Sequence, residues 1–213
     1  MKQLKACIFD LDGTMIDSER VTRAAYRVAF AQYGCHFTDG MYESILCGGP
    51  GNRAKLRGYF PDVDVDAVCR DAAEWKKKQY EQYGVPVKKG LYELLDVLEE
   101  KGIVCIIATM TKRKTATDIL EKLHLEDRFQ YQVFGDEVER GKPEPDIFLR
   151  ALELSCITAG ETVVLEDSYN GILAANSAGI PVIMIPDLLS PRPDLKTEAV
   201  LEDLTQVISF LDE

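Results

Sequence analysis

The stretch CIFDLDGTMID, residues 7–17, ends an apolar run in Asp10 and places a second carboxylate, Asp12, just ahead of Gly13 and Thr14. Asp-Gly is turn chemistry, so the pair could simply close a strand. The alternative is a reacting centre. Further along, IVCIIAT (103–109) ends in Thr109, and RGKPEPDIF carries Lys142 in a Gly-Pro loop ahead of a helical pattern. TVVLED (162–167) ends in Glu166 and Asp167. Taken singly, Thr109, Asp167 and Ser168 suit helix N-caps, and Lys142 suits a solvated loop.

Together these residues support one chemistry. Asp10, Asp12, Glu166 and Asp167 would converge at one sheet edge. Like charges about 4 Å apart cost roughly 4 kcal/mol per pair at an effective dielectric near 20. A bound hard cation removes that cost, and Mg2+ takes oxygen ligands of this kind. Thr109 would add a hydroxyl and Lys142 a positive charge, which completes a cradle for a phosphoryl group. Asp10 can attack phosphorus to give an aspartyl phosphate. Asp12 can protonate the leaving oxygen and later deprotonate the attacking water.

Such a centre needs elements that bring distant residues to one edge. Short apolar runs recur at LKACIFD, IVCIIAT, YQVFG (131–135), TVVLED and PVIMIP (181–186), without strict alternation, as strands buried on both faces of a parallel sheet do. Helical segments separate them: Leu91, Leu94, Leu95 and Leu98 share a face, as do Ala116, Ile119, Leu120 and Leu123. The expected fold is therefore α/β, a Rossmann-like doubly wound parallel sheet, whose ligands bind outside the carboxyl ends of the strands. The stretch after the first strand breaks this rhythm. It has an amphipathic run from Ser18 to Tyr33, a Gly/Pro-rich interruption at 48–51 and a charged run from Asp64 to Tyr83. That pattern predicts an inserted α-helical cap domain over 17–85, with the catalytic core formed by 1–16 and 86–213, and Pro86 and Gly90 marking the return.

At 213 residues, 46% hydrophobic and 29% charged, the chain has ordinary globular composition. Its formal charge of −11, with no basic stripe to offset it, argues against nucleic acid or an anionic membrane as partner. No apolar stretch is long enough to span a bilayer. The six cysteines are scattered without a CxxC pair, which suits reduced thiols in the cytoplasm rather than a disulfide framework or zinc site. The expected partner is a small phosphorylated metabolite, and the expected state a monomer.

DLDGT, the strand-end Thr109, GKPEPDIF and LEDSYNG resemble the motifs of the haloacid dehalogenase-like phosphatase superfamily, in the branch containing β-phosphoglucomutase and many small-molecule phosphatases. The resemblance runs through nearly the whole chain. It implies a Rossmann-like core, a helical cap inserted after the first motif, and Mg2+-dependent phosphoryl transfer. It implies Asp10 as nucleophile, Asp12 as general acid/base, and Thr109 with Lys142 as the phosphate-holding pair. The implied metal ligands are Asp10, the Asp12 main-chain carbonyl and Asp167, with Glu166 as a further or supporting ligand. Mutases of the branch carry a histidine where this chain has Thr22, and the only histidines are His36 and His124, which favours hydrolysis.

Rival readings attach to other residues. Cys47 and Arg53 have the Cys-x5-Arg spacing of thiol-dependent phosphatases, but no strand precedes Cys47, so a small apolar role is expected for it. Arg53, in a Gly-rich cap loop, is a candidate substrate contact. Arg113 could reach the substrate from a helix start or sit on an exposed face. Trp75 with Lys76, Lys77 and Lys78 reads as a solvated helix face. A non-enzymatic phospho-receiver also combines acids, a Thr/Ser and a Lys on a doubly wound sheet, but the DxD spacing and the long insert speak against it.

Overall fold

The computed structural model describes residues 4–46 and 52–211; Cys47 and most of the Gly-rich loop lie outside them. The chain runs β1 (Ala6–Phe9), then helices α1 (Ser18–Gln32), α2 (Asp39–Leu46), α3 (Asn52–Tyr59) and α4 (Val65–Tyr83). It continues α5 (Leu91–Glu100), β2 (Val104–Thr109), α6 (Arg113–Leu123), β3 (Tyr131–Phe134), α7 (Asp146–Ser155), β4 (Thr162–Glu166), α8 (Tyr169–Ser177), β5 (Val182–Met184), β6 (Ala199–Val200) and α9 (Leu204–Leu211). Among the described residues the strands form one parallel sheet in the order β3-β2-β1-β4-β5-β6. The edge strand β6 leaves no mark in the sequence, because two residues are too few to carry a pattern.

Successive strand residues point to opposite faces, and both faces are dry. Cys7, Phe9, Ile107 and Leu165 face one layer with Leu94 and Leu98 of α5, Leu120 of α6 and Val207 of α9. Ala6, Ile8, Ile106 and Val164 face the other, with Phe148 of α7 and Ile172 of α8. Each such Leu, Ile or Phe taken wholly out of water contributes about 1.5–3 kcal/mol, so the register of the central strand cannot slip. That register matters for the site. Phe9 pairs with Ile107 on one side and Leu165 on the other. One residue further, Asp10 stands level with Glu166, and its backbone N–H donates to the Leu165 carbonyl at 3.1 Å. β1 lies between β2 and β4, where the strand order reverses, so a crevice opens at its carboxyl end.

Helices α1 to α4 form a separate apolar cluster with Phe30, Phe37, Tyr42, Phe60 and Val68 buried together. The Phe30 and Phe37 rings stack with centroids 5.2 Å apart. Two chain segments join this insert to the sheet layers, and they are hydrogen-bonded to each other. Asp17 N–H donates to the Pro86 carbonyl and Lys88 N–H to the Met15 carbonyl, both at 2.9 Å. The fully buried Asp187 carboxylate, beyond β5, accepts from Lys88 Nζ at 2.8 Å and from Arg20 of α1. Leu188 beside it packs into the insert's cluster. The insert is thus anchored by the paired segments, by Asp187 and by Leu188.

Gly90 opens α5 at φ +88°, and a Cβ there would lie 2.5 Å from the Thr205 backbone nitrogen of α9. Gly90→Ala therefore meets both left-handed strain and a backbone clash. It should lower unfolding free energy by at least about 1–3 kcal/mol in denaturant titration. An unchanged midpoint would show that the α5–α9 packing yields easily.

Candidate active site

The sheet edge gathers residues from four connections. Asp10 follows β1 directly and is 7% exposed. Lys142, on the loop between β3 and α7, reaches back so that Nζ donates to Asp10 Oδ1 and to Glu166 Oε1, both at 2.6 Å. Its side chain is 6% exposed and lies over the Phe148 ring, so it is a buried cation rather than a solvated loop lysine. The other Glu166 oxygen accepts from Ser168 N–H at 2.7 Å and Ser168 Oγ at 2.9 Å. Ser168 is the cap of α8 and accepts from Gly171 N–H at 3.1 Å. Asp167, beside it, accepts from Thr14 Oγ1 at 3.4 Å.

Two glycines make this crowding possible. At Gly171 a Cβ would sit 1.7 Å from Glu166 Oε1. At Gly13, which adopts φ +83°, it would sit 2.2 Å from Asp167 Oδ2. The Gly13 that reads as turn chemistry is therefore also the space into which Asp167 fits.

Asp10, Glu166 and Asp167 each present an oxygen, and these all lie within 4.8 Å of one another. Burial pushes the Asp10 carboxyl up to about 8; Lys142 opposes that rise and Glu166 adds to it. Burial, then Glu166 and Asp10, push Asp167 well above the usual carboxylate range. On Lys142, burial opposes the charge, but the two carboxylates outweigh it and hold the ammonium protonated. One lysine therefore faces three buried acids. A carboxylate set of this composition suits a hard divalent cation. Glu166 has both oxygens engaged by Lys142 and Ser168, which leaves Asp10 and Asp167 as the carboxylates free to ligate.

The carboxylate of Asp12, expected in the same cluster, turns elsewhere. Ser18 Oγ donates to its Oδ1 and Thr111 Oγ1 to its Oδ2, each at 2.5 Å. Lys76 Nζ stands 3.9 Å from Oδ1 and donates to Thr22 Oγ1 at 2.8 Å. Thr22 in turn donates to the Ser18 carbonyl at 2.8 Å. Two hydroxyls thus fix the rotation of Asp12, one from the insert and one from the loop after β2. Thr109 is 1% exposed, and its hydroxyl oxygen accepts from Thr111 N–H at 3.0 Å. Its own O–H can therefore donate into the cleft.

Asp10, Asp12, Thr109, Lys142, Glu166 and Asp167 all line one cleft of about 350 Å³. Arg53 is not brought there: it pairs with Asp66 at 2.9 Å on the exposed face of the insert, because α3 lies against the start of α4. Arg113 likewise pairs with Glu137 and stacks on Phe134 on the surface. Sequence reading missed Ser18, Thr111, Lys76 and Glu19, the last of which lines the cleft. Lys76 reads from the sequence as part of a solvated face with its neighbours, yet it approaches Asp12. The available signals were the hydroxyl residues Ser18 and Thr111 close to Asp12 and Thr109 in sequence.

A family model described as haloacid dehalogenase-like hydrolase matches residues 7–185. A phosphorylated carbohydrates phosphatase of Thermotoga maritima is 34% identical over 184 residues, covering 83% of this chain and 82% of that protein. The protein CbbY of Rhodobacter capsulatus is 32% identical over 195 residues, covering 86% of each. The crystal structure of CbbY from Rhodobacter sphaeroides in complex with phosphate superposes with a TM-score of 0.83 over 99% of this chain and 100% of that one, at 22% identity, and so shares the fold. With the matched motifs lying at the strand ends that build the cleft, this chain belongs to the haloacid dehalogenase-like hydrolases, on their phosphatase branch.

Proposed function

We propose that the protein is a Mg2+-dependent phosphatase that hydrolyses a small phosphorylated metabolite of the sugar phosphate class through an aspartyl phosphate. The observation that carries this reading is the division of labour between the two acids. Asp10 lies at the floor of the cleft against Lys142, while Asp12 is held apart by Ser18 and Thr111. The names of the relatives that act on phosphorylated carbohydrates support the substrate class.

In the first step a carboxylate oxygen of Asp10 bonds to phosphorus as the ester P–O bond breaks. Asp12 gives its proton to the departing alkoxide. In the second, Asp12 takes a proton from water as that water's oxygen bonds to phosphorus, which frees inorganic phosphate and restores Asp10. Lys142 and the Thr109 hydroxyl neutralise and orient the phosphoryl oxygens throughout. Asp10, Asp167 and the Asp12 main-chain carbonyl would hold Mg2+, with Glu166 fixing Lys142 behind them. The bound ion supplies positive charge against the phosphoryl oxygens. Residues 17–85 act as a cap over a core of 1–16 and 86–213. Thr22 is committed to Lys76 and the Ser18 carbonyl and has no group that titrates near neutrality, so hydrolysis is favoured over mutase chemistry. The buried free thiols Cys7 and Cys105 support a reducing, cytoplasmic setting.

Asp10→Asn should reduce turnover on the best substrate of a sugar phosphate panel to near background. Asp12→Asn should cost on the order of 10² to 10⁴. Cys47→Ser should retain most activity. A dead Cys47→Ser beside an active Asp10→Asn would replace this mechanism with a thiolate one.

Chelator should abolish turnover and added Mg2+ restore it. The ion should also leave a thermodynamic mark. In the cation-free protein Asp10 titrates at about 8. An unfolded carboxyl titrates near 4, so between those values (about pH 4 to 8) the folded state holds a proton that the unfolded state has lost. Stability in chelator therefore falls as pH rises through that window, and a bound cation removes the loss. The Tm gained on adding Mg2+ should be larger at about pH 8 than at about pH 5.5. A gain that shrinks with rising pH would contradict the assigned site.

A further inference from the structure

Of the described insert residues that line the catalytic cleft, Glu19, Ile45 and Leu46, only Glu19 is polar. It lies one residue past Ser18, at the start of α1, and lines the cleft that holds Asp10 and Lys142. Tyr42 Oη donates to its Oε2 at 2.5 Å. Tyr42 is 2% exposed and packed near Tyr26 and Phe37, so that end of the carboxylate is fixed by the insert's core. Among the described residues no protein donor reaches Oε1. The surrounding wall adds Met110 and Leu189, apolar surfaces suited to carbon. A group entering this half of the cleft meets one strong acceptor amid apolar side chains, with the Asp12 carboxylate close by.

Resting on the phosphatase reading above, we infer that Glu19 determines specificity: its free oxygen accepts hydrogen bonds from hydroxyls on the substrate's carbon skeleton, and its charge disfavours a second anionic group near the scissile ester. A hydroxyl is a donor that the free Glu19 oxygen satisfies. A carboxylate or second phosphate in that position would meet the Glu19 carboxylate, with Asp12 beyond it engaged by Ser18, Thr111 and Lys76. Burial, opposed by Tyr42 and Lys76 and reinforced by Asp12, pushes the Glu19 carboxyl up to about 7. The inferred substrate class is a phosphate monoester of a neutral polyhydroxylated carbon chain, in preference to phosphoglycolate or a compact bisphosphate.

The test measures kcat/KM at about pH 8, where a carboxyl titrating near 7 is ionised. Three esters are compared: the best sugar phosphate of the panel, p-nitrophenyl phosphate as a hydroxyl-free ester, and phosphoglycolate as an anion-bearing one. Glu19→Ala should lower the ratio of sugar phosphate to p-nitrophenyl phosphate by about 10- to 100-fold, the worth of a hydrogen bond to a charged acceptor. Glu19→Gln keeps an acceptor for Tyr42 and so guards against misfolding, checked by circular dichroism. It should raise phosphoglycolate relative to the sugar phosphate by about tenfold. Either ratio staying within about threefold of wild type overturns the inference while leaving the phosphatase reading intact. A wild type inactive on every ester in Mg2+ overturns both.

Discussion

Lys142, buried between Asp10 and Glu166, is the interaction on which the rest of the site depends. A lysine at that depth is tolerable only because two carboxylates hold its charge, and the carboxylates are tolerable there only because the lysine partly compensates them. The compensation is incomplete. Asp167 adds a third acid with a hydroxyl contact from Thr14, so one lysine is left to face three buried acids, and burial raises the carboxyls of Asp10 and Asp167. That imbalance is what fits the site to a hard divalent cation in the proposed mechanism.

Holding such a cluster requires a stiff frame. β1 is wholly buried, with side chains locked into both apolar layers, so Asp10 cannot retreat from the lysine without breaking strand register. The same register sets Glu166 beside Asp10 on β4. Gly13 and Gly171 remove the only atoms that would keep Asp167 and Glu166 out of their positions. Apolar packing supplies the force, and the two missing Cβ atoms supply the room.

The second acid is held where the insert meets the sheet. Asp12 is anchored by Ser18 from the insert and Thr111 from the sheet side, so its orientation depends on how the two meet. Lys76 approaches from α4, on the far side of the insert from Ser18 in sequence. Pairing of the two connecting segments near Met15 and Pro86 holds these contributions in one place. A motion of the insert would therefore change the surroundings of Asp12 and Glu19 while leaving Asp10, Lys142 and Glu166 untouched. In the proposed mechanism this separates the group that bonds to phosphorus from the groups that handle protons and recognise the rest of the substrate.

Much of this was legible in the chain itself. Buried parallel strands announce themselves as short apolar runs, and a polar residue that ends such a run must sit at the sheet's carboxyl edge. Asp10, Thr109, Glu166 and Asp167 could be placed together on that ground, with Lys142 joining them from its Gly-Pro loop. What the sequence could not decide was the direction of side chains on helices whose partners lie far away in the chain. Lys76, Lys77 and Lys78 are chemically identical neighbours, yet successive helix positions point about 100° apart, and only the packing of α4 on α1 turns Lys76 toward Asp12. The packing of α3 on α4 gives Arg53 to Asp66, and the meeting of α1 and α2 seats Glu19 on Tyr42. Strand-end residues inherit their place from the backbone, whereas residues on the insert acquire theirs from the tertiary contact between helices.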